Sequence, residues 1–69
     1  MEAGKIVEYI DRQKIICAVV LEVKKERLRL LDQTNREVNL SASRLSHKIN
    51  TRLELSIGRD KLVETLKEI

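Results

Sequence analysis

The sequence predicts a mainly β fold, a small five-stranded antiparallel barrel with one C-terminal α-helix. Three observations lead there. Apolar residues alternate with a period near two from residue 5 to about residue 57. Short polar clusters ("DRQ", "KKE", "DQTN") interrupt the alternation where hairpin turns belong. From residue 59 to 69 the period lengthens to about 3.6, the repeat of a helix.

The first strand is "KIVEYI", with Val7 and Tyr9 on one face, Ile6 and Ile10 on the other, and Gly4 as a flexible entry. The second, "KIICAVVLEV", is the most apolar stretch of the chain. Ile15, Cys17, Val19, Leu21 and Val23 share one face; Ile16, Ala18 and Val20 line the other until Glu22 and Lys24 turn it polar. A helix would scatter these residues around its axis, and four of them before Glu22 (Ile15, Ile16, Val19 and Val20) are β-branched, which favours strand. A strand apolar on both faces at one end and on one face at the other suits the bent centre of a small barrel. "RLRLL" places Leu28 and Leu30 inward with Arg27 and Arg29 toward water, and "REVNL" places Val38 and Leu40 inward. Four strands with short turns make an antiparallel meander.

"SASRLSHKI" then breaks the alternation. Ser41 or Ser43 is positioned to cap one helical turn that drops Leu45 into the core, and a short last strand follows around His47 to Ile49. Meander, helical turn and fifth short strand together describe an SH3-like barrel over residues 1–50, the small-barrel type also found in Sm and Tudor modules. Residues 51–69 hold an extended segment and the helix. In that helix Leu62, Leu66 and Ile69 fall at i, i+4 and i+7 with Val63 beside them, and Asp60 sits in the first turn, where the dipole favours an anion. The helix carries no stop signal. The expectation is an N-terminal piece of a longer protein, leading into a downstream domain.

Composition narrows the function classes. A chain of 69 residues makes at most one small domain. Its core is drawn almost wholly from Leu, Ile and Val, with Tyr9 the sole aromatic residue. One cysteine gives no internal disulfide, and the N-terminus lacks the basic and apolar regions of a signal peptide. No apolar run approaches the roughly 20 residues that span a bilayer. These features predict a cytoplasmic domain with no membrane partner.

The reactive residues are few. Cys17 lies mid-strand on an apolar face, with no basic neighbour in the strand to lower its pKa and no second cysteine to form a metal or redox pair. His47 is the lone histidine; a Cys17–His47 nucleophile–base pair is conceivable, but the inward alternation of Cys17 argues against it. No glycine-rich phosphate loop and no clustered carboxylate motif is present, so no catalytic residue and no metal ligand is assigned. The basic residues are more suggestive. Lys24, Lys25, Arg27, Arg29 and Arg36 gather around two hairpins, and Arg44, Lys48 and Arg52 form a second group. Together they are the candidate RNA-binding residues, able to track a phosphate backbone. Glu22, Glu26 and Glu37 share the region, so cross-strand ion pairs on a solvated face explain the pattern too.

The runs "GKIVEYIDRQKIICAVVLEVKKERLRLL" and "NREVNLSASRLSHKI" resemble the N-terminal segment of some bacterial exoribonucleases of the ribonuclease II/R (RNB) family. The matching features are a Gly before a "VEY" strand, a central "AVV" strand, a strand–turn–strand ending in "RLS", and the helix "RDKLVETLKEI". The resemblance spans essentially all of the chain and rests on fold-determining positions. It implies a non-catalytic accessory module preceding the catalytic domain of a 3′–5′ exoribonuclease, with RNA and that downstream domain as partners. It also implies Mg²⁺ for the parent enzyme, held by clustered aspartates of the RNB domain, and no cofactor for this module. Asp11, Asp32 and Asp60 are isolated in sequence, so no metal ligand carries over. A free-standing small barrel that recognises a protein through its sheet edge or a groove near Tyr9 is the alternative, and a spacer without ligand is a third reading.

Overall fold

A computed structural model describes residues 2–69. Five antiparallel strands form a single sheet: β1 (Lys5–Asp11), β2 (Lys14–Lys24), β3 (Arg27–Asp32), β4 (Glu37–Ser41) and β5 (Leu45–Arg52), in the order β4-β3-β2-β1-β5. One turn of 3-10 helix, Ala42–Arg44, links β4 to β5, a second spans Leu55–Ile57, and the helix α1 covers Arg59–Lys67. β4 and β5 are the two ends of the sheet and do not pair with each other, so the sheet is open.

β2 is the long central strand. It pairs with β1 through its first half and with β3 through its second. A bulge between Val20 and Glu22 sets the bend, and it also changes the face on which later residues lie. Strict alternation puts Val23 with Cys17 and Val19. The extra residue, Leu21, shifts the phase, and Val23 instead faces Leu28 across the strands, 38% exposed. The single-face row expected for Ile15 through Val23 therefore ends at Leu21. Its other end is also uncovered. Ile15 stands opposite Ile10 at the hairpin tip, and the two are 68% and 54% exposed.

Both faces of the sheet are apolar at their centre. One carries Val7, Tyr9, Ala18, Val20, Leu28 and Leu30, closed over by half-buried Ile16, Val38, Leu40 and Leu45. Leu45 reaches that cluster because Ser41 caps the 3-10 turn, its Oγ accepting from the Ser43 amide at 3.4 Å. The opposite face carries Ile6, Cys17, Val19 and Leu31, and is covered by Leu62, Val63 and Leu66 of α1. A nine-residue helix is marginal by itself. Burial of these three side chains, each contributing about 1.5–3 kcal/mol, is what holds it. Ile69, expected on the same stripe, lies beyond the last helical residue and is 58% exposed.

The segment after Ile49 departs from the expected boundaries. β5 continues to Arg52, so a division at residue 50 falls inside a strand. Leu53 and Leu55, expected in an extended stretch, pack half-buried against the helix-side cluster, and the 3-10 turn Leu55–Ile57 carries the chain from sheet to helix. Gly4 fixes this crossing. Its amide donates to the Val20 carbonyl at 2.7 Å and its own carbonyl accepts from Leu53 at 2.8 Å, with φ at +92°.

Candidate nucleic-acid interface

The structure sorts the eight candidate basic residues into four settings. Arg29, Lys24 and Arg52 are paired with acids. Arg29 projects on the helix face, where it meets Glu22 at 3.4 Å and Glu37 at 2.8 Å. Glu37 is shared with Arg59 at the start of α1, and Arg59 also donates to the Asn35 side chain at 2.6 Å and carbonyl at 3.0 Å. The hydrogen bonds from Arg29 and Arg59 hold the Glu37 carboxyl below its ordinary range. This network ties the helix to the β3–β4 hairpin. Lys24 leans toward Glu22 at 3.8 Å, and Arg52 toward Glu2 at 3.0 Å.

A second group projects from one corner. Lys24 and Arg27 close the β2–β3 hairpin directly opposite one another, and like charges so placed repel. Lys25 occupies the turn with φ at +49°. The Ala42 amide donates to the Glu26 carbonyl at 2.9 Å, which docks the 3-10 turn ending in Arg44 against the same hairpin. Lys25, Arg27 and Arg44 are exposed, and among the described residues none of the three forms an ion pair. Lys48 lies apart on β5, opposite Val7.

Arg36 has a fourth setting. It lines a recess of about 350 Å³ between the β1–β2 hairpin tip and the β3–β4 turn. Tyr9, Ile16 and Val38 supply apolar surface there, and Asp11, Lys14 and Asp32 supply charge. Asp32 is 7% exposed and organises the turn. Its Oδ1 accepts from the Thr34 amide at 2.8 Å, the Thr34 hydroxyl at 2.7 Å and the Arg36 amide at 3.0 Å. Burial opposes ionisation of this carboxyl, but the Thr34 and Arg36 donors outweigh it and the pKa falls below its usual value. Tyr9 is 4% exposed; burial, with Asp32 and Asp11 nearby, pushes its phenol up.

Sequence reasoning named a groove near Tyr9 for a protein partner but did not bring the two turns together to form this recess. Its components come from two turns 20 residues apart, and only the register Asp11↔Lys14, together with the β2–β3 pairing, brings them together. The available signals were the sole aromatic residue and the Asx-turn pattern of "DQTN".

The reactive residues are placed as follows. Cys17 is buried, and burial together with Glu8 pushes its thiol up, away from the thiolate that reacts. Glu8 faces Cys17 on one side and His47 on the other. Two interstrand spacings, about 10 Å, therefore separate the backbones of Cys17 and His47. A nucleophile and its base need about 2.6–3.2 Å between heavy atoms. Among the described residues no group of three or more His, Cys, Asp or Glu side chains is placed to hold a metal ion. Asp11 and Asp32 both line the recess, where Asp32 Oδ1 accepts three donors, and Asp60 stands apart in the first turn of α1. No described helix is long and apolar enough to cross a membrane. Compared with known proteins, the chain matches no family model, no curated protein and no solved structure.

Proposed function

We propose that this domain is a non-catalytic, RNA-contacting module of a 3′–5′ exoribonuclease of the ribonuclease II/R family, built as an SH3-like small barrel. The observation that carries the reading is the corner formed by Lys25, Arg27 and Arg44. It presents cations without acidic partners, held on a hairpin and a capped turn. Phosphates attract such groups without competition from an internal carboxylate. Arg29 and Arg52, by contrast, are engaged within the domain and contribute less. The strand order with a 3-10 turn between β4 and β5 supports the barrel description, and the family rests on the resemblance in sequence alone. The module's role is to guide single-stranded RNA toward a catalytic domain elsewhere in the parent enzyme, where Mg²⁺ chemistry takes place.

The test is a ¹H–¹⁵N titration of the domain with a single-stranded RNA octanucleotide. Shifts are expected at Lys25, Arg27 and Arg44. Three phosphate contacts give a log–log salt slope of about −2, so affinity falls roughly 20-fold from about 50 to 200 mM salt. Shifts confined to the β4 and β5 edges on adding protein partners, with none on adding RNA, would replace this reading by the protein-recognition alternative.

A further inference from the structure

We infer that the recess beside Tyr9 is a subsite for one nucleotide of single-stranded RNA, selecting a base that carries an exocyclic amine over uracil. The inference deepens the RNA-contacting reading and rests on it for the macromolecule involved, but its chemistry is local. The cavity of about 350 Å³ lies at the lower end of small-ligand sites, large enough for one nucleotide-sized group and too small for a duplex. Its walls offer three kinds of contact. Tyr9, Ile16 and Val38 give an apolar surface for a flat ring. Lys14 and Arg36 give cations for a phosphate. Asp32 gives a carboxylate for the ring's edge, and Asp11 places a second carboxylate in the same lining.

The free valence of Asp32 decides the selectivity. All three hydrogen bonds that build its turn go to Oδ1, and Oδ2 receives none among the described residues. No enclosed side-chain oxygen or nitrogen among the described residues lacks a partner, so Oδ2 keeps solvent access, in a residue that lines the recess. The same reasoning opens the Tyr9 hydroxyl, which makes no hydrogen bond within the described chain. An ionised carboxylate accepts and cannot donate. Cytosine, adenine and guanine each present an amino group to it. Uracil presents a single N–H flanked by two carbonyl oxygens, which the carboxylate repels. Specific recognition of single-stranded RNA uses this arrangement of splayed base, ring contact and edge hydrogen bond. Sequence preference then arises at the recess, and the basic corner supplies affinity alone.

Cytidine and uridine 5′-monophosphate are the matched probes, since they share size, sugar and phosphate. Titrated separately and followed by ¹H–¹⁵N spectra, cytidine monophosphate is expected to shift the amides of Ile16, Thr34 and Arg36. Uridine monophosphate should bind about tenfold more weakly, the effect of one hydrogen bond to a charged group. Asp32→Asn keeps an Oδ1 acceptor for the turn and puts an amide donor in place of Oδ2, so the preference should collapse or invert toward uridine. Lys14→Ala should weaken both nucleotides equally. Equal affinity for the two probes, or shifts reproduced in full by inorganic phosphate, would overturn the base-selective subsite. The outcomes also separate the two proposals. Octanucleotide binding without base preference removes the subsite and leaves the basic corner. Cytidine monophosphate binding without octanucleotide binding removes the RNA-contacting role and leaves a subsite for a free nucleotide.

Discussion

Substituting the two glycines by alanine tests how the chain crosses from sheet to helix. Both have positive φ, +92° at Gly4 and +98° at Gly58, so alanine at either site carries backbone strain of about 1–3 kcal/mol. Their surroundings differ. A Cβ at Gly58 meets nothing within 4 Å, whereas a Cβ at Gly4 lies 2.6 Å from the Leu53 carbonyl oxygen. That oxygen is backbone and cannot rotate away. Relief requires separating Gly4 from Leu53, which breaks the 2.8 Å hydrogen bond between them and disturbs the bond to Val20. Overpacking of this kind adds about 1–3 kcal/mol. Gly4→Ala should therefore cost about 2–6 kcal/mol in total, against about 1–3 kcal/mol for Gly58→Ala. A domain of this size has only about 3–10 kcal/mol of stability. Urea unfolding followed by far-ultraviolet circular dichroism reads the difference, and at about 1 kcal/mol per molar the two midpoints should differ by about 2 M. Equal midpoints for the two variants would refute the close approach at Gly4.

Three further perturbations follow from the packing and the turns. Leu66→Ala removes a side chain 1% exposed between helix and sheet, and a loss of about 2–5 kcal/mol is expected in the same urea assay. Arg12 and Gln13 form the β1–β2 turn with φ at +51° and +67°, a conformation that suits glycine; Gln13→Gly should raise stability by about 0.5–1 kcal/mol, seen as a higher urea midpoint. The carboxyls of Asp32 and Glu37 both have folded-state pKa values below their unfolded ones. Their contribution is complete above the unfolded values and disappears as pH falls through the folded ones. The urea midpoint should thus drop steadily as pH falls through and below the ordinary carboxylate range, and Asp32→Asn should flatten that drop.

Local pattern was enough to find the strands, because each one buries a side-chain set of period two and each turn is polar. Ser41 was legible as a cap for the same reason: its action reaches only two residues along the chain. The phase change at Leu21 was not legible. A bulge arises from the fit between β2 and β3, and "VLEV" reads equally well with or without it. Ile69 misled for a related reason, since periodicity extends a stripe until the letters stop, whereas the helix itself stops at Lys67. The basic residues illustrate the limit most clearly. Arg27 and Arg29 look equivalent in "RLRLL", yet among the described residues the register gives Arg29 two acidic partners and Arg27 none. Pairing partners are a property of neighbouring strands, and a single strand's letters do not contain them.

The two apolar clusters lie back to back on one sheet, and β1 and β2 contribute to both. Ile6 and Val19 serve the helix side while Val7 and Val20, one residue on, serve the other. Release of α1 uncovers only the first set. The strands remain joined through the second cluster, so the helix can detach as a cooperative unit of its own, below the free energy of global unfolding. Hydrogen exchange would then fall into two tiers, with the amides of α1 opening first and those at the β1–β2 pairing last. A force applied through the C-terminus would reach the sheet only after the helix had peeled from it.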